Sequence, residues 1–530
     1  MNFILKNKTK ILWSIFITLF GLNIISMLFF GTITSGDSIR GIEMMYQYAN
    51  GASWNTLNYP SVHHSIHSYY VSWWSPSQWF FPYLLYKLLK IESVQSIQFI
   101  LITSTLLISV YGYYKLFLKF GFSINITLLS LISMITCEAF YWNFIGYYGG
   151  NLFLLGFFPY FTLLLLKIKA STSLKNILLY AFACCFGLFL KNTFFIVIVC
   201  ACFYLLLNRS KKDVIQAFKN NFPYVLCAGI ILMIVQFYFL NKGDNPGNSN
   251  FEGAYLNIKN DVIGDLTYSL GSPIGLFSRF TMISQKLYAT FFSNSSFSNI
   301  LQIIPLGLTV LFLFKFPRKE YSKYVEILFL FCIPILLVFS YLYLTNKDVS
   351  YASRHFAAFA FIFFPGILVW VNDLKFKKGI YIILIFLTLY DCRVSIISQQ
   401  VIQNETVLWN SIKVPKTDLD VLKKIKKWDQ NCKNGILITE DNWSLNAGIG
   451  KNDKICIHQE MSTYKVESGI PLKNPENLIL SDSFLKCYKS ILIVSQFPLK
   501  KMEKILIKEG FIISNKNKVS TKNLIYFEIQ

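Results

Sequence analysis

Two carboxylates in this sequence lie where acid–base chemistry at a membrane surface would need them. Asp37 follows the first long apolar run, in the segment SGDSIRG, and Glu138 lies near one end of a later apolar run, in ITCEAFYWNF. An ionisable residue at such a boundary is a candidate functional residue, because a charge in or beside hydrocarbon is costly. We therefore predict that Asp37 acts as a general base and that Glu138 assists it or binds a metal.

Both carboxylates also have ordinary structural explanations. Asp37 is a good helix-capping residue, so it could begin a helix over the amphipathic segment Ile39 to Ala49. Arg40 lies three residues after Asp37 and could pair with it on one helix face or contact the same substrate. Glu138 could form a hydrogen bond to a neighbouring helix. The sequence leaves these alternatives open.

A group of three histidines lies between the two carboxylates. His63, His64 and His67 form the segment HHSIH. Imidazoles this close together could bind Zn²⁺ or Mn²⁺ with a carboxylate, although the segment lacks HExxH spacing and could equally be a polar loop tip. A divalent metal ion is the one cofactor that the sequence predicts.

Positively charged residues at the entrance to another apolar run could neutralise a phosphate. The segment TNKDVSYASRH carries Lys347, Arg354 and His355, and Arg279 and Lys286 precede it in the chain. An arginine binds two phosphate oxygens in a fixed fork, and a site at a membrane surface suits a lipid phosphate. We predict substrate binding by Arg354, Lys347 and His355. The alternative is that these side chains are interfacial anchors.

The composition excludes an ordinary soluble protein. Of the 530 residues, 54% are hydrophobic and 15% are charged, and the mean hydropathy is +0.45. The net charge of +22 could indicate a nucleic-acid partner, but the lysines and arginines lie in short loops between apolar runs and in the last quarter of the chain. This distribution is typical of membrane topology signals. We therefore predict contacts with membrane lipids and none with nucleic acid.

Roughly eleven apolar runs are long enough, or nearly so, to cross a bilayer. They are Ile11 to Phe30, Ile97 to Leu118, Ile124 to Trp142, Leu152 to Leu166, Ile177 to Leu190, Phe194 to Leu207, Tyr224 to Leu240, Ile300 to Phe316, Val325 to Leu344, Phe356 to Val371 and Ile380 to Ile397. Basic residues concentrate in alternate connections, which places the N-terminus in the cytoplasm and the long loops outside a bacterial cytoplasmic membrane. The weak point is Lys191, because the short runs on either side of it could be a hairpin or one broken span.

The chain divides by composition into two parts. Residues 1–398 form the predicted transmembrane domain, with large external loops at 31–93 and 241–299, and residues 399–530 form a small extracytoplasmic α/β domain. Its predicted strands are Gly435 to Thr439, Lys454 to His458, Ser490 to Val494, Phe511 to Ile513 and Asn523 to Ile529. Its predicted helices are Asp418 to Asp429 and Leu499 to Glu509.

The whole pattern resembles the C-type (GT-C) membrane glycosyltransferases, which include protein O-mannosyltransferases, aminoarabinose transferases and oligosaccharyltransferases. The resemblance covers about Ile11 to Ile397 and rests on a cytoplasmic N-terminus and an acidic residue at the start of a long first external loop. SPSQWFFPYLLYKLL (Ser75 to Leu89) is similar to the small-Pro-aromatic stretch before the second helix of those enzymes. YASRHFAAFAFIFFPG (Tyr351 to Gly366) resembles their arginine-containing helix entrance.

The resemblance also implies roles for individual residues. Asp37 corresponds to the catalytic acid of the first loop, Glu138 to the acid of the second external loop and Arg354 to the ligand of the lipid phosphate. Many members carry paired acids in the first loop, whereas Ser38 follows Asp37 here and Glu43 lies further along. Metal dependence is therefore left open.

The predicted activity is a membrane glycosyltransferase that moves a sugar from a polyprenyl-phosphate-linked donor to a lipid, glycan or protein acceptor outside the cytoplasm. A flippase for a lipid-linked saccharide is the first alternative, and it predicts internal repeats and broken helices. A polysaccharide polymerase or ligase is the second alternative, and it would usually place several arginines in its external loops.

Overall fold

A computed structural model gives the architecture of the chain. It describes residues 7–34, 36–49, 51–57, 69–70, 75–147, 149–168, 173–207, 214–240, 266, 269–280, 295–344, 353–409, 412–432, 434–440, 453–460, 463–466, 488–495, 500–508, 510–519 and 522–529.

The membrane domain is built almost entirely of helices, because its apolar runs satisfy their backbone groups internally when helical. The helices are α1 Lys8–Phe30, α2 Gly36–Ala49, α3 Ser77–Leu88, α4 Val94–Lys119, α5 Ile124–Ile135, α6 Glu138–Ile145, α7 Gly150–Ile168, α8 Leu174–Leu190, α9 Phe194–Leu207, α10 Val214–Val235, α11 Ser272–Phe277, α12 Ser295–Lys315, α13 Ser322–Leu344, α14 Ala357–Asn372 and α15 Lys377–Glu405. Two short strands, β1 Ile33–Thr34 and β4 Gly146–Tyr147, lie between them, as does a strand pair, β2 Thr56–Leu57 and β3 Tyr69–Tyr70.

Many of these helices could cross a membrane. Within the described residues six helices are long and apolar enough, and a seventh span is formed if the bent pair α5 and α6 is counted as one. Four further apolar helices are shorter. Each predicted apolar run corresponds to helical structure, although the run from Ile124 to Trp142 is divided between α5 and α6. The prediction of an α-helical polytopic membrane protein with a small C-terminal α/β domain is confirmed. The number of spans stays a prediction.

The first and last membrane helices run parallel. Ser395 donates a hydrogen bond to Asn23 over 3.2 Å, and Ser26 donates one to Gln399 further along both helices. Beyond them, the ammonium of Lys413 contacts the carbonyl of Phe30 at the end of α1. The residue numbers rise together, so the carboxyl ends of α1 and α15 lie on one side. Parallel first and last spans agree with the predicted odd number of crossings.

The first external segment, predicted as a loop over 31–93, contains two helices that pack on each other. The amphipathic segment after Asp37 forms α2, and the aromatic segment forms α3. Trp79 of α3 is almost fully buried, donates a hydrogen bond to Asn55 over 2.8 Å and contacts the ring of Tyr48 at the end of α2. This aromatic contact fixes the orientation of α2 and therefore of the residues at its start.

The C-terminal domain follows α15, which continues to Glu405, past the predicted boundary at 398. A hairpin of β5 Thr406–Trp409 and β6 Ile412–Pro415 leads into α16 Leu419–Asn431. The remaining elements are β7 Gly435–Glu440, β8 Asp453–Glu460, β9 Thr463–Val466, β10 Ser490–Ser495, α17 Lys500–Lys508, β11 Phe511–Val519 and β12 Lys522–Ile529. In the described part of this domain strands β7 to β12 form one mixed sheet in the order β11-β12-β10-β7-β8-β9, separate from the β5–β6 hairpin.

Candidate functional site

Several connections between helices lie together at one end of the helical bundle. Strand β1, just after α1, pairs in parallel with β4, just after α6, with Ile33 opposite Gly146. The residue before β1, Thr32, is held by Gln95 of α4, which accepts a hydrogen bond from its N–H and donates one to its carbonyl, both over 2.9 Å. These contacts fix where α2 begins. We call this end of the bundle the site end.

Asp37 lies in the first turn of α2, directly after β1. The helix begins at Gly36, so Asp37 is inside the helix and does not precede it as an N-cap. Anionic side chains are favoured in a first turn because the helix dipole is positive there. The side chains of Asp37 and of Arg40, one turn later, lie outside the described residues. The structure therefore places their backbone at the site end, and their roles stay predictions.

Glu138 is the first residue of α6, immediately after a break in the third apolar run. Helices α5 and α6 meet at an angle of 53°, with Thr136 and Cys137 between them. The Glu138 carboxylate is partly buried and accepts a hydrogen bond from Trp142 Nε1 over 3.0 Å. Irregular backbone inside a membrane is tolerated only where it is buried in protein or lines a cavity. The break thus puts an acid at the start of a helix inside the bundle.

Arg279, just after α11, stabilises this break. Its Nη2 donates to the carbonyl of Ser133 over 2.9 Å and to Thr136 Oγ1 over 2.7 Å. Its Nη1 donates to the carbonyls of Leu276 and Phe277, and its Nε donates to the Asp391 carboxylate of α15. An arginine has five N–H donors, and these bonds use all of them. The suggestion that Arg279 binds phosphate therefore does not hold, and its role is structural.

Replacing Asp391 by Asn is expected to destabilise the protein strongly, by about 3–5 kcal/mol, because it leaves the buried Arg279 guanidinium without its counter-charge. The two side chains are 4% and 1% exposed. Thermal unfolding of the purified protein in detergent measures the effect. Asp420→Asn is the matched control, since the Asp420–Lys423 pair is 74% and 58% exposed and should contribute little. Equal melting temperatures for the two variants would contradict the structural role.

Arg354 and His355 lie in a 3₁₀ turn, Ser353–His355, directly before α14, and α6 packs against this turn. Burial, followed by the positive charges of Lys191 and Arg354, lowers the pKa of His355 to about 3. This imidazole is consequently neutral at physiological pH. It can exchange hydrogen bonds with a bound group but adds no charge. The cations of Lys191 and Arg354 therefore both lie within electrostatic range of the His355 imidazole.

In the sequence analysis, Lys191 mattered only for the number of membrane spans. It lies in the turn of a helical hairpin between α8 and α9. The turn is fixed by a hydrogen bond of 2.8 Å from the Asn192 N–H to Ser75 and by close approach of Gly150, where a Cβ would lie 2.6 Å from the Leu190 carbonyl. A lone lysine outside the predicted cytoplasmic loops is an exception to the positive-inside pattern. That exception was the signal that could have identified it.

Asn151 adds a polar group beside this turn. It is the second residue of α7, next to Gly150, and its Oδ1 is buried without a hydrogen-bond partner among the described residues. A buried unsatisfied amide oxygen costs free energy and is usually satisfied by water or a ligand. The site end therefore offers an acceptor as well as cations.

The other residues that were predicted to bind a metal ion or a phosphate lie outside the described residues. They are His63, His64, His67, Lys347 and Lys286. Elsewhere, in the part of the chain that the structure describes, no three His, Cys, Asp or Glu side chains come together as a metal site would require. The predicted divalent metal ion thus stays a prediction.

Comparison with known proteins finds a similar fold among solved structures. No protein-family model matches the sequence, and no curated protein matches it either. The chain is similar to the crystal structure of ArnT from Cupriavidus metallidurans in the apo state, with a TM-score of 0.47 and 10% sequence identity over 98% of each chain. At this identity the similarity concerns the fold alone. The similarity therefore says nothing about the donor, the acceptor or the roles of individual residues in this chain.

Proposed function

We propose that this protein is a membrane glycosyltransferase that moves a sugar from a polyprenyl-phosphate-linked donor to an acceptor on the extracytoplasmic face. The observation that carries the proposal is the packing of α6, which begins with Glu138, against the turn that contains Arg354. An acid and a cationic group on two elements that pack together are the two components that transfer from a lipid phosphate needs.

In the proposed reaction an acceptor hydroxyl attacks the anomeric carbon of the donor sugar. A bond forms between that oxygen and the carbon, the bond from the carbon to the phosphate oxygen breaks, and the hydroxyl proton passes to a carboxylate. Asp37 would take the proton, with Glu138 orienting the acceptor. Arg354 and Lys191 would stabilise the negative charge that develops on the departing phosphate, with the predicted Lys347 as a further cation.

Incubation with lipid-linked saccharides tests the proposal. The purified protein, reconstituted in vesicles, would be given a polyprenyl-linked saccharide pool extracted from a strain that lacks this gene. We expect the donor to be consumed and free polyprenyl phosphate to appear by mass spectrometry. Donor that stays chemically intact in the presence of a soluble extract of the same cells as acceptor source would contradict the proposal.

A flippase remains the second candidate because the break between α5 and α6 is a feature of transporters. The buried Arg279–Asp391 pair is a second such feature, but the Arg279 donors are all used within the protein, as described above. A flippase would move intact donor between leaflets and release no polyprenyl phosphate. The same vesicles distinguish the two functions if the accessibility of the donor to an added reagent is followed.

We also propose that the site end faces outward from the bacterial cytoplasmic membrane. Lys119, Lys167 and Lys315 end α4, α7 and α12 at the opposite end of the bundle, as positive-inside topology requires. A periplasm-dependent reporter fused after Gln530 should therefore be active, because β6 contacts β1 at the site end. A reporter fused after Lys319 is the control and should be active only in its cytoplasmic form. The reverse pattern would contradict this orientation.

A further inference from the structure

A separate cavity of about 620 Å³ lies in the C-terminal domain, between α16 and one face of the sheet. Its walls come from the exposed side of α16, the start of β10, the edge strand β11 and its neighbour β12. Its lining includes Lys424, Lys427, Trp428, Lys489, Asn515 and Tyr526. None of them belongs to the site end described above.

The lysines of α16 divide into two sets. Lys423 forms an ion pair with Asp420, and Lys426 lies over the ring of Trp409 at 5.3 Å from its centroid. Lys424 and Lys427 instead line the cavity, and within the described residues neither forms an ion pair. Positive charge is thus concentrated at the cavity, where Lys489 adds to it and Glu528 is the one acidic residue in the lining.

The largest side chain in the floor of the cavity is held in one position by burial and by a hydrogen bond. Trp428 is 8% exposed and donates a hydrogen bond from Nε1 to Ser490 over 3.0 Å. Tyr526 lies opposite Asn515 across the β11–β12 pair, so both side chains are on the same face of the sheet. Aromatic surface beside amide groups, which donate and accept hydrogen bonds, matches the mixed apolar and hydroxyl surface of a sugar.

We infer that this cavity binds an anionic saccharide, a sugar chain that carries carboxylate or phosphate groups. The lysines would neutralise the anion, the amides would bind hydroxyl groups, and the partly exposed ring of Tyr526 would contact a ring face. Adsorption to an anionic lipid surface is the competing explanation. A flat lipid surface would use Lys423 and Lys426 as readily as Lys424 and Lys427, whereas a concave site favours the pair that lines it.

The test is a binding titration of the full chain in nanodiscs of neutral lipid. Calorimetry would follow tetragalacturonate as a carboxylate probe, poly(glycerol phosphate) as a phosphate probe and maltotetraose as a neutral control. We expect at least one anionic probe to bind and maltotetraose to bind about tenfold more weakly or not at all. Replacing Lys424 and Lys427 by Gln should weaken anionic binding about tenfold or more, since each substitution removes a charged hydrogen-bond donor to the anion.

Lys423→Gln with Lys504→Gln is the matched control, because it removes the same charge from the same domain outside the cavity. Its affinity should be unchanged. Equal weakening by both double variants would show a diffuse charge effect and overturn the inference, as would the absence of binding by both anionic probes or equal binding of maltotetraose. No donor lipid takes part in this titration, so its outcome is independent of the proposed transfer activity.

Discussion

Replacing Asp37 by Asn is expected to lower sugar transfer by about 10²- to 10⁴-fold, because that is the typical contribution of a positioned general base. Asn has nearly the same shape but cannot accept the proton of the acceptor hydroxyl. Asp37 lies in the first turn of α2, which begins two residues after β1, so the substitution removes the carboxylate charge at the start of this helix. Release of polyprenyl phosphate at matched protein levels measures the effect.

Glu92→Gln is the matched control for this prediction. Glu92 is an exposed carboxylate between α3 and α4, in the same external segment as Asp37. It should retain normal transfer, and both variants should insert into the membrane and melt as the parent protein does. Near-normal transfer by Asp37→Asn would remove Asp37 from the proposed mechanism. The proton would then have to pass to another group, with Glu138 the first to test.

Local signals in the sequence were sufficient for most of the fold. The length of each apolar run predicts the membrane helices, since a span has to satisfy its own backbone. The short β-branched runs between polar turns predict β7, β8, β10, β11 and β12 in the C-terminal domain. Strand β9 and the β5–β6 hairpin were missed, because short strands of mixed polarity carry little periodicity.

The candidate site depends on contacts that no local pattern encodes. The break before Glu138 lies within an apolar run that reads as one continuous helix, and it is stabilised by Arg279, more than a hundred residues later in the chain. Arg279 itself looked available for phosphate because its partners lie on other helices. Lys191 became a candidate only once its turn was seen to pack beside Ser75 and Gly150. Pairwise contacts at this separation require the three-dimensional structure.

Replacing Arg354 is expected to have the second-largest effect on transfer. Loss of one donor to a charge that develops in the transition state typically costs about 10²–10³ in rate, and Arg354→Ala should fall in this range. Arg354→Lys should also be impaired, because a lysine keeps the charge but cannot hold two phosphate oxygens in a fixed fork. The neighbouring His355 is neutral and cannot supply the missing charge, since its pKa is lowered to about 3.

The comparison of Arg354→Lys with Arg318→Lys separates substrate binding from membrane anchoring. Arg318 is exposed, lies after α12 at the opposite end of the bundle and contacts the ring of Phe329 with its guanidinium. An anchoring arginine needs only its charge and its aliphatic stem, so Lys should replace Arg318 without loss of transfer. If Arg354 binds the departing phosphate, only the Arg354 variant should lose activity. Full transfer by Arg354→Lys would make Arg354 an anchor and leave Lys191 as the cation to test next.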